Sequence, residues 1–118
     1  MINEKEKDAL LNSMKNPIVF CDTNHIIRYM NKAAVAHYAE GSSLLGTNVL
    51  HCHNAASRKI MLEIFVEMQN GLEERLITDN AKYRIYMRAI RDADGALIGY
   101  YKRYEPPCQT PLNAGIIC

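Results

Sequence analysis

At 118 residues the chain is long enough for one compact domain with its own core and too short for two. Its 48% apolar and 23% charged content is that of a folded globular protein, not of a disordered one. With 14 basic residues against 13 acidic ones the formal charge is +1, too small to gather nucleic acid or an anionic membrane surface.

Met1 to Lys7 is charged and lacks the apolar run of a signal peptide, and no stretch of about 18 consecutive apolar residues occurs. A soluble, cytoplasmic protein is the expectation. The cysteines at 21, 52, 108 and 118 match neither a zinc-knuckle spacing nor CxxC, so reduced thiols are expected. Cys118 stands last rather than fourth from the end, which does not suit prenylation.

Asn3 to Met14 is rich in Glu, Lys, Ala and Leu, with Leu10, Leu11 and Met14 at helical spacing before Asn16-Pro17. This reads as a short amphipathic helix. Ile18 to Cys21 and His25 to Met30 are β-prone runs separated by Asp22-Thr23-Asn24, the pattern of a hairpin. Asn31 is a suitable N-cap for a short helix through Tyr38 that stops near Gly41, and Gly41-Ser42-Ser43 reads as a loop. Leu44 to Asn54 is mixed and reads as one irregular or short helical turn.

From Ala55 a longer helix is expected, with Ile60, Met61, Ile64, Phe65 and Met68 forming an apolar stripe that ends at Asn70-Gly71. Three strands follow, Glu73 to Thr78, Lys82 to Arg91 and Ala96 to Tyr104, joined by turns at Asp79-Asn80 and Asp92-Ala93-Asp94-Gly95. In the second, Tyr83, Ile85, Met87 and Ala89 alternate with Lys82, Arg84, Tyr86 and Arg88, so one face is buried and one wetter. The fold class is α+β. The chain divides into an N-terminal helix over 1–14, an α+β domain over 15–105 and a Pro-containing tail over 106–118.

The sharpest chemical cluster is His51-Cys52-His53, because imidazole and thiolate bind haem iron and zinc. Neighbouring residues seldom all reach one metal, so the competing reading has His53 and Asn54 capping the next helix while Cys52 packs as a small hydrophobe. Met61, Met68, Met87 and Phe65 are candidates to line a ligand cavity, and the same pattern fits a plain core. His25 and His37 read as partly exposed surface residues without a role. Tyr83, Tyr86, Tyr100, Tyr101 and Tyr104, interleaved with Arg84, Arg88, Lys102 and Arg103, suggest a partner surface on the last two strands. Leu10, Leu11 and Met14 suggest homodimerisation through the opening helix. No phosphate loop, nucleophile elbow or motif-placed carboxylate pair points to catalysis, so no enzyme is expected.

Leu10 to Asp22, followed by Ile26-Ile27-Arg28-Tyr29-Met30-Asn31-Lys32-Ala33-Ala34, resembles the opening of the PAS family, where an Asn-x-Ala-Ala step leads out of the second strand. Leu45-Gly46, Arg91 to Gly95 and Leu97-Ile98-Gly99-Tyr100 are similar to its loop glycine and closing hairpin. The resemblance covers roughly residues 8 to 104. It implies a five-stranded antiparallel sheet flanked by helices and enclosing a pocket for haem, flavin, a small metabolite or nothing. Gly46-Thr47-Asn48-Val49-Leu50 resembles the photoadduct segment of light-oxygen-voltage domains, but Val49 stands where their reactive cysteine would be. The surroundings of Cys52-His53 resemble a PAS segment at the end of some hemerythrin-associated regulatory proteins, where a Cys-His pair precedes the long helix. The function expected from the resemblance is a sensory module that binds a small ligand or a partner, such as a downstream signalling protein. The alternatives are a haem or metal sensor using His51, Cys52 and His53, and a ligand-free dimerisation module. His51 and His53 are the candidate metal ligands.

Overall fold

A computed structural model describes residues 1–107. The tail expected over 106–118 therefore lies outside the described residues apart from Pro106 and Pro107. In chain order the elements are α1 (Glu4–Ser13), β1 (Ile18–Asp22), β2 (Ile27–Met30) and α2 (Lys32–His37). Two 3-10 turns follow, Gly41–Leu44 and Val49–Cys52, then α3 (Ala55–Gln69), β3 (Glu74–Asp79), β4 (Arg84–Arg91) and β5 (Leu97–Glu105). The strands form one antiparallel sheet in the order β2-β1-β5-β4-β3. This is the α+β, five-stranded arrangement that the sequence led us to expect.

Local chemistry sets the element ends. Asn3 and Glu6 form a reciprocal capping box at the start of α1. The Asp22 carboxylate accepts from the backbone N–H groups of Asn24 at 2.9 Å and Ile26 at 3.1 Å, closing the β1–β2 turn. His25 sits in that turn at φ 65°, so it is not a strand residue as its sequence suggested, and β2 begins only at Ile27. The Gly41-Ser42-Ser43 stretch is also ordered differently from the expectation, as a 3-10 turn rather than an open loop. Asn54 alone caps α3, its side chain accepting from the Ser57 N–H at 2.8 Å; His53 takes no part in the cap. At the other end of α3 the Arg91 guanidinium donates to the carbonyls of Met68 at 2.6 Å and Leu72 at 3.2 Å.

Asn31 joins three elements. Its buried side-chain oxygen accepts from Ile18 N–H and Ala34 N–H, both at 2.9 Å, and its amide donates to the carbonyls of Leu11 and Asn16, both at 3.1 Å. All four of its hydrogen-bonding positions are thus used. The core lies between α3 and the inner sheet face. Met61, Ile64, Phe65 and Met68 are buried from α3, and Val19, Cys21, Met87, Ala89 and Tyr100 from the strands. Ile60, counted in the stripe on sequence grounds, is exposed, so the apolar seam is narrower than its pattern implied.

Candidate functional site

The inner face of the sheet is not uniformly apolar. On β5, Tyr100, Lys102 and Tyr104 point inward at alternate positions, and all three are buried. Lys102 pairs with Val19 on one side and Met87 on the other, which places its stem between two apolar neighbours on the central strand. Only 7% of Lys102 is exposed. Its ammonium nitrogen lies 3.1 Å from Nε2 of His53, the last residue before the α3 cap. Among the described residues no carboxylate comes within 4.0 Å of it.

These groups line a cavity of about 360 Å³ between the inner face of the sheet, to which all five strands contribute, and the segment running from α2 to the second 3-10 turn. Its walls are largely apolar, supplied by Val19, Ile27, Met30, Leu44, Ile77 and Ile85. Polar groups converge from three directions. Tyr38 and Tyr104 share a hydrogen bond between hydroxyls at 2.5 Å, Lys102 faces His53, and Cys52 and Thr78 complete the lining. His37 and the exposed Glu40 lie at the rim.

Burial dominates the electrostatics. It pushes the Lys102 amine below the ordinary amine range. Burial, and then the neighbouring Lys102, push His53 below the ordinary imidazole range. The Tyr38 and Tyr104 hydroxyls are raised by the same desolvation. Behind the cavity, burial pushes the Cys21 thiol up to about 12. A largely apolar pocket that disfavours charge but is lined by an amine, two imidazoles and three phenols can offer hydrogen bonds to a bound group.

The residues singled out from sequence separate into groups. His53 and Cys52 line the cavity, whereas His51 is exposed on the second 3-10 turn and does not. Met61, Phe65 and Met87 are core residues packed between α3 and the sheet and do not line the cavity. Met68 is likewise fully buried in that core. Among the described residues no three His, Cys, Asp or Glu side chains converge so as to hold a metal ion. The side chain of His53 that would ligate haem iron is directed at Lys102, and His51 is directed elsewhere, so the arrangement fits haem poorly.

Lys102 does not belong to a charged rim beside Arg84, Arg88 and Arg103; it points to the opposite face. Those three arginines are engaged on the outer face, Arg103 with Glu74 and Glu105, Arg88 with Glu74, and Arg84 with Asp79 and Glu105. His25 is partly exposed as expected, its Nδ1 lying 2.9 Å from the Tyr100 hydroxyl and its ring edge-on to Phe65. The period-two pattern of Tyr100, Lys102 and Tyr104 was the signal that could have found the inward lysine.

The family model for the PAS domain matches residues 8–102, and the chain therefore belongs to the PAS domain family. No curated protein sequence matches it. Among solved structures, the C-terminal domain of a Streptococcus mutans protein aligns with a TM-score of 0.76 at 20% identity, covering 89% of this chain and 85% of that one. The PAS domain of a Colwellia psychrerythraea protein aligns with a TM-score of 0.68 at 12% identity, covering 86% and 94%. The Vibrio cholerae Aer2 receptor, described as a dual PAS-haem oxygen sensor, aligns with a TM-score of 0.61 at 18% identity, covering 79% and 95%. At these identities the likeness is one of fold. Among the described residues no helix is long and apolar enough to cross a membrane.

Proposed function

We propose that this PAS domain is a non-catalytic sensory module that takes a small molecule into the cavity over β5 and transmits its presence through the segment leading into α3. The observation that carries this reading is the cavity itself: about 360 Å³, mostly apolar, with a few convergent polar groups, which is the composition of a small-molecule site. Its volume lies at the small end of the usual range, roughly 300–1,000 Å³, and favours a compact ligand over a macrocycle. His53 connects ligand to output, since it lines the cavity and immediately precedes the cap of α3.

The test is the native mass of the purified chain against its denatured mass, together with a thermal-shift screen of small metabolites. A ligand-sized mass difference, or a compound that raises the melting temperature in the wild type but not in Tyr104→Leu, supports the reading. A chain of unliganded mass that no compound stabilises excludes it. Haem is the competing ligand through His51 or His53. Titration with haemin then gives either a stoichiometric Soret band lost in His53→Ala or His51→Ala, which favours haem, or weak binding shared by all variants, which does not.

Homodimerisation belongs to the same proposal. Leu10 and Met14 are exposed, and Leu11, Met14, Ile18, Phe20, Tyr29, Ile90 and Tyr101 form a shallow apolar hollow on the outer sheet face. A second copy of α1 is an occupant that would cover this surface.

A further inference from the structure

Deepening the small-ligand reading on which it rests, we propose that the cavity is an anion site, and that its ligand is a small organic acid whose carboxylate is bound by Lys102. Lys102 lies in the middle of the central strand with Val19 and Met87 as its paired neighbours, and is 7% exposed. Buried lysines are ordinarily paired with an anion, because an ammonium taken out of water without one is strongly disfavoured. Among the described residues the only polar partner is a neutral-favouring imidazole at 3.1 Å, and no carboxylate is within 4.0 Å.

An apolar side chain at this position would complete the inner face without that cost. The amine gains a purpose if the missing negative charge arrives with the ligand. The other groups facing it fit this account. Cys21, on β1 behind the cavity, has its thiol held in the neutral form at about 12, so it supplies no anion. Glu40 is exposed at the rim, and of the Tyr38 and Tyr104 hydroxyls, which bond to each other, one keeps its O–H free to donate. One cation and one or two neutral donors match a single negative charge. A phosphate ester, with up to two charges, is ordinarily gripped by arginine forks or a run of backbone N–H groups, and the cavity lining contains no arginine.

The apolar walls fix the rest of the ligand. Ile27, Leu44, Ile77 and Ile85 line the same space as Lys102, so the acid carries a short aliphatic or aromatic body. Binding also offers a route for the signal. A carboxylate that takes the Lys102 proton donors displaces Nε2 of His53, and His53 is joined directly to the Asn54 cap of α3.

Matched probes test the idea on the whole chain by isothermal titration calorimetry: octanoate against octanamide, and 3-phenylpropionate against 3-phenylpropionamide. The wild type should prefer at least one acid to its amide by about tenfold to a hundredfold, the worth of a charge-assisted hydrogen bond. Lys102→Met should abolish that preference while leaving amide binding in place. The comparison of acid with amide in the wild type stands even if a variant folds poorly. Equal binding of acid and amide overturns the anion site and leaves the small-ligand reading intact. An acid preference that survives in Lys102→Met also overturns it. Failure of all four probes to bind counts against both.

Discussion

The side-chain amide of Asn31 donates to the carbonyl of Leu11, tying the start of α2 to the last turn of α1. The same buried side chain also accepts from Ile18 and Ala34 and donates to Asn16. Asn31→Ala removes all four bonds and leaves backbone groups unpaired, so we predict a loss of at least about 2 kcal/mol in urea unfolding. Amide exchange of α1 should accelerate more than that of α3. Uniform acceleration in both helices would show that Asn31 stabilises the fold without specifically holding α1.

The Lys102 amine gives stability a defined pH dependence. Its protonated form is disfavoured in the folded chain by burial and not in the unfolded one, so the unfolded state binds the proton more readily. Stability therefore rises with pH between the depressed folded value and the ordinary 10.5, as the penalty fades. Lys102→Met is expected to be more stable than the wild type at pH 6, on the order of 1–3 kcal/mol, with the advantage shrinking toward pH 10. Chemical denaturation at a series of pH values measures this; a variant less stable than the wild type at pH 6 refutes it.

Gly99 sits opposite Asp22 in the β1–β5 ladder, and a Cβ placed on it would lie 2.1 Å from the Cys21 carbonyl oxygen and 2.8 Å from the Phe20 ring. The obstacle is backbone, which cannot move without breaking the ladder. Gly99→Ala should cost about 2–3 kcal/mol, with the loss appearing as a lower urea midpoint at unchanged slope. Gly46→Ala meets no neighbour within 4 Å and serves as the control for glycine loss without crowding, although its φ of 85° adds its own strain.

Light scattering addresses the dimer. Leu10→Asp combined with Met14→Asp introduces two charges on exposed positions of α1 and is expected to convert a dimer to monomer without altering the fold. A wild type that is monomeric at micromolar concentration, or a double variant that stays dimeric, removes α1 as the interface.

Much of the architecture was legible in the chain itself. Asn31, Asn54 and the Asp-rich turns carry their capping and turn chemistry locally, so α2, α3 and the hairpins could be placed from residue type. The alternation of Tyr83, Ile85, Met87 and Ala89 identified the inward face of β4. Cavity and core could not be told apart in the same way, because both present apolar residues at the same period. Met87 is core while Ile85, two residues away on the same face, lines the cavity. Lys102 was misplaced for a related reason: a lysine in a strand ordinarily faces water, and only its phase relative to Tyr100 and Tyr104 revealed otherwise. The triplet at 51–53 attracted attention through its metal chemistry, yet a single turn of 3-10 helix splits it, leaving His51 outside and His53 within.

The strand order has a consequence for how the protein is made. β5, the last of the sheet's five strands to leave the ribosome, occupies the centre of the sheet, where Ile18 pairs with Arg103 and Arg84 with Glu105. Until it emerges, the β1–β2 hairpin and the β3–β4 hairpin are separate pieces with exposed edges and no common platform for α3. A nascent chain that stalls before Leu97 thus presents two unpaired edges and an unburied helix face together, the circumstances under which newly synthesised chains aggregate.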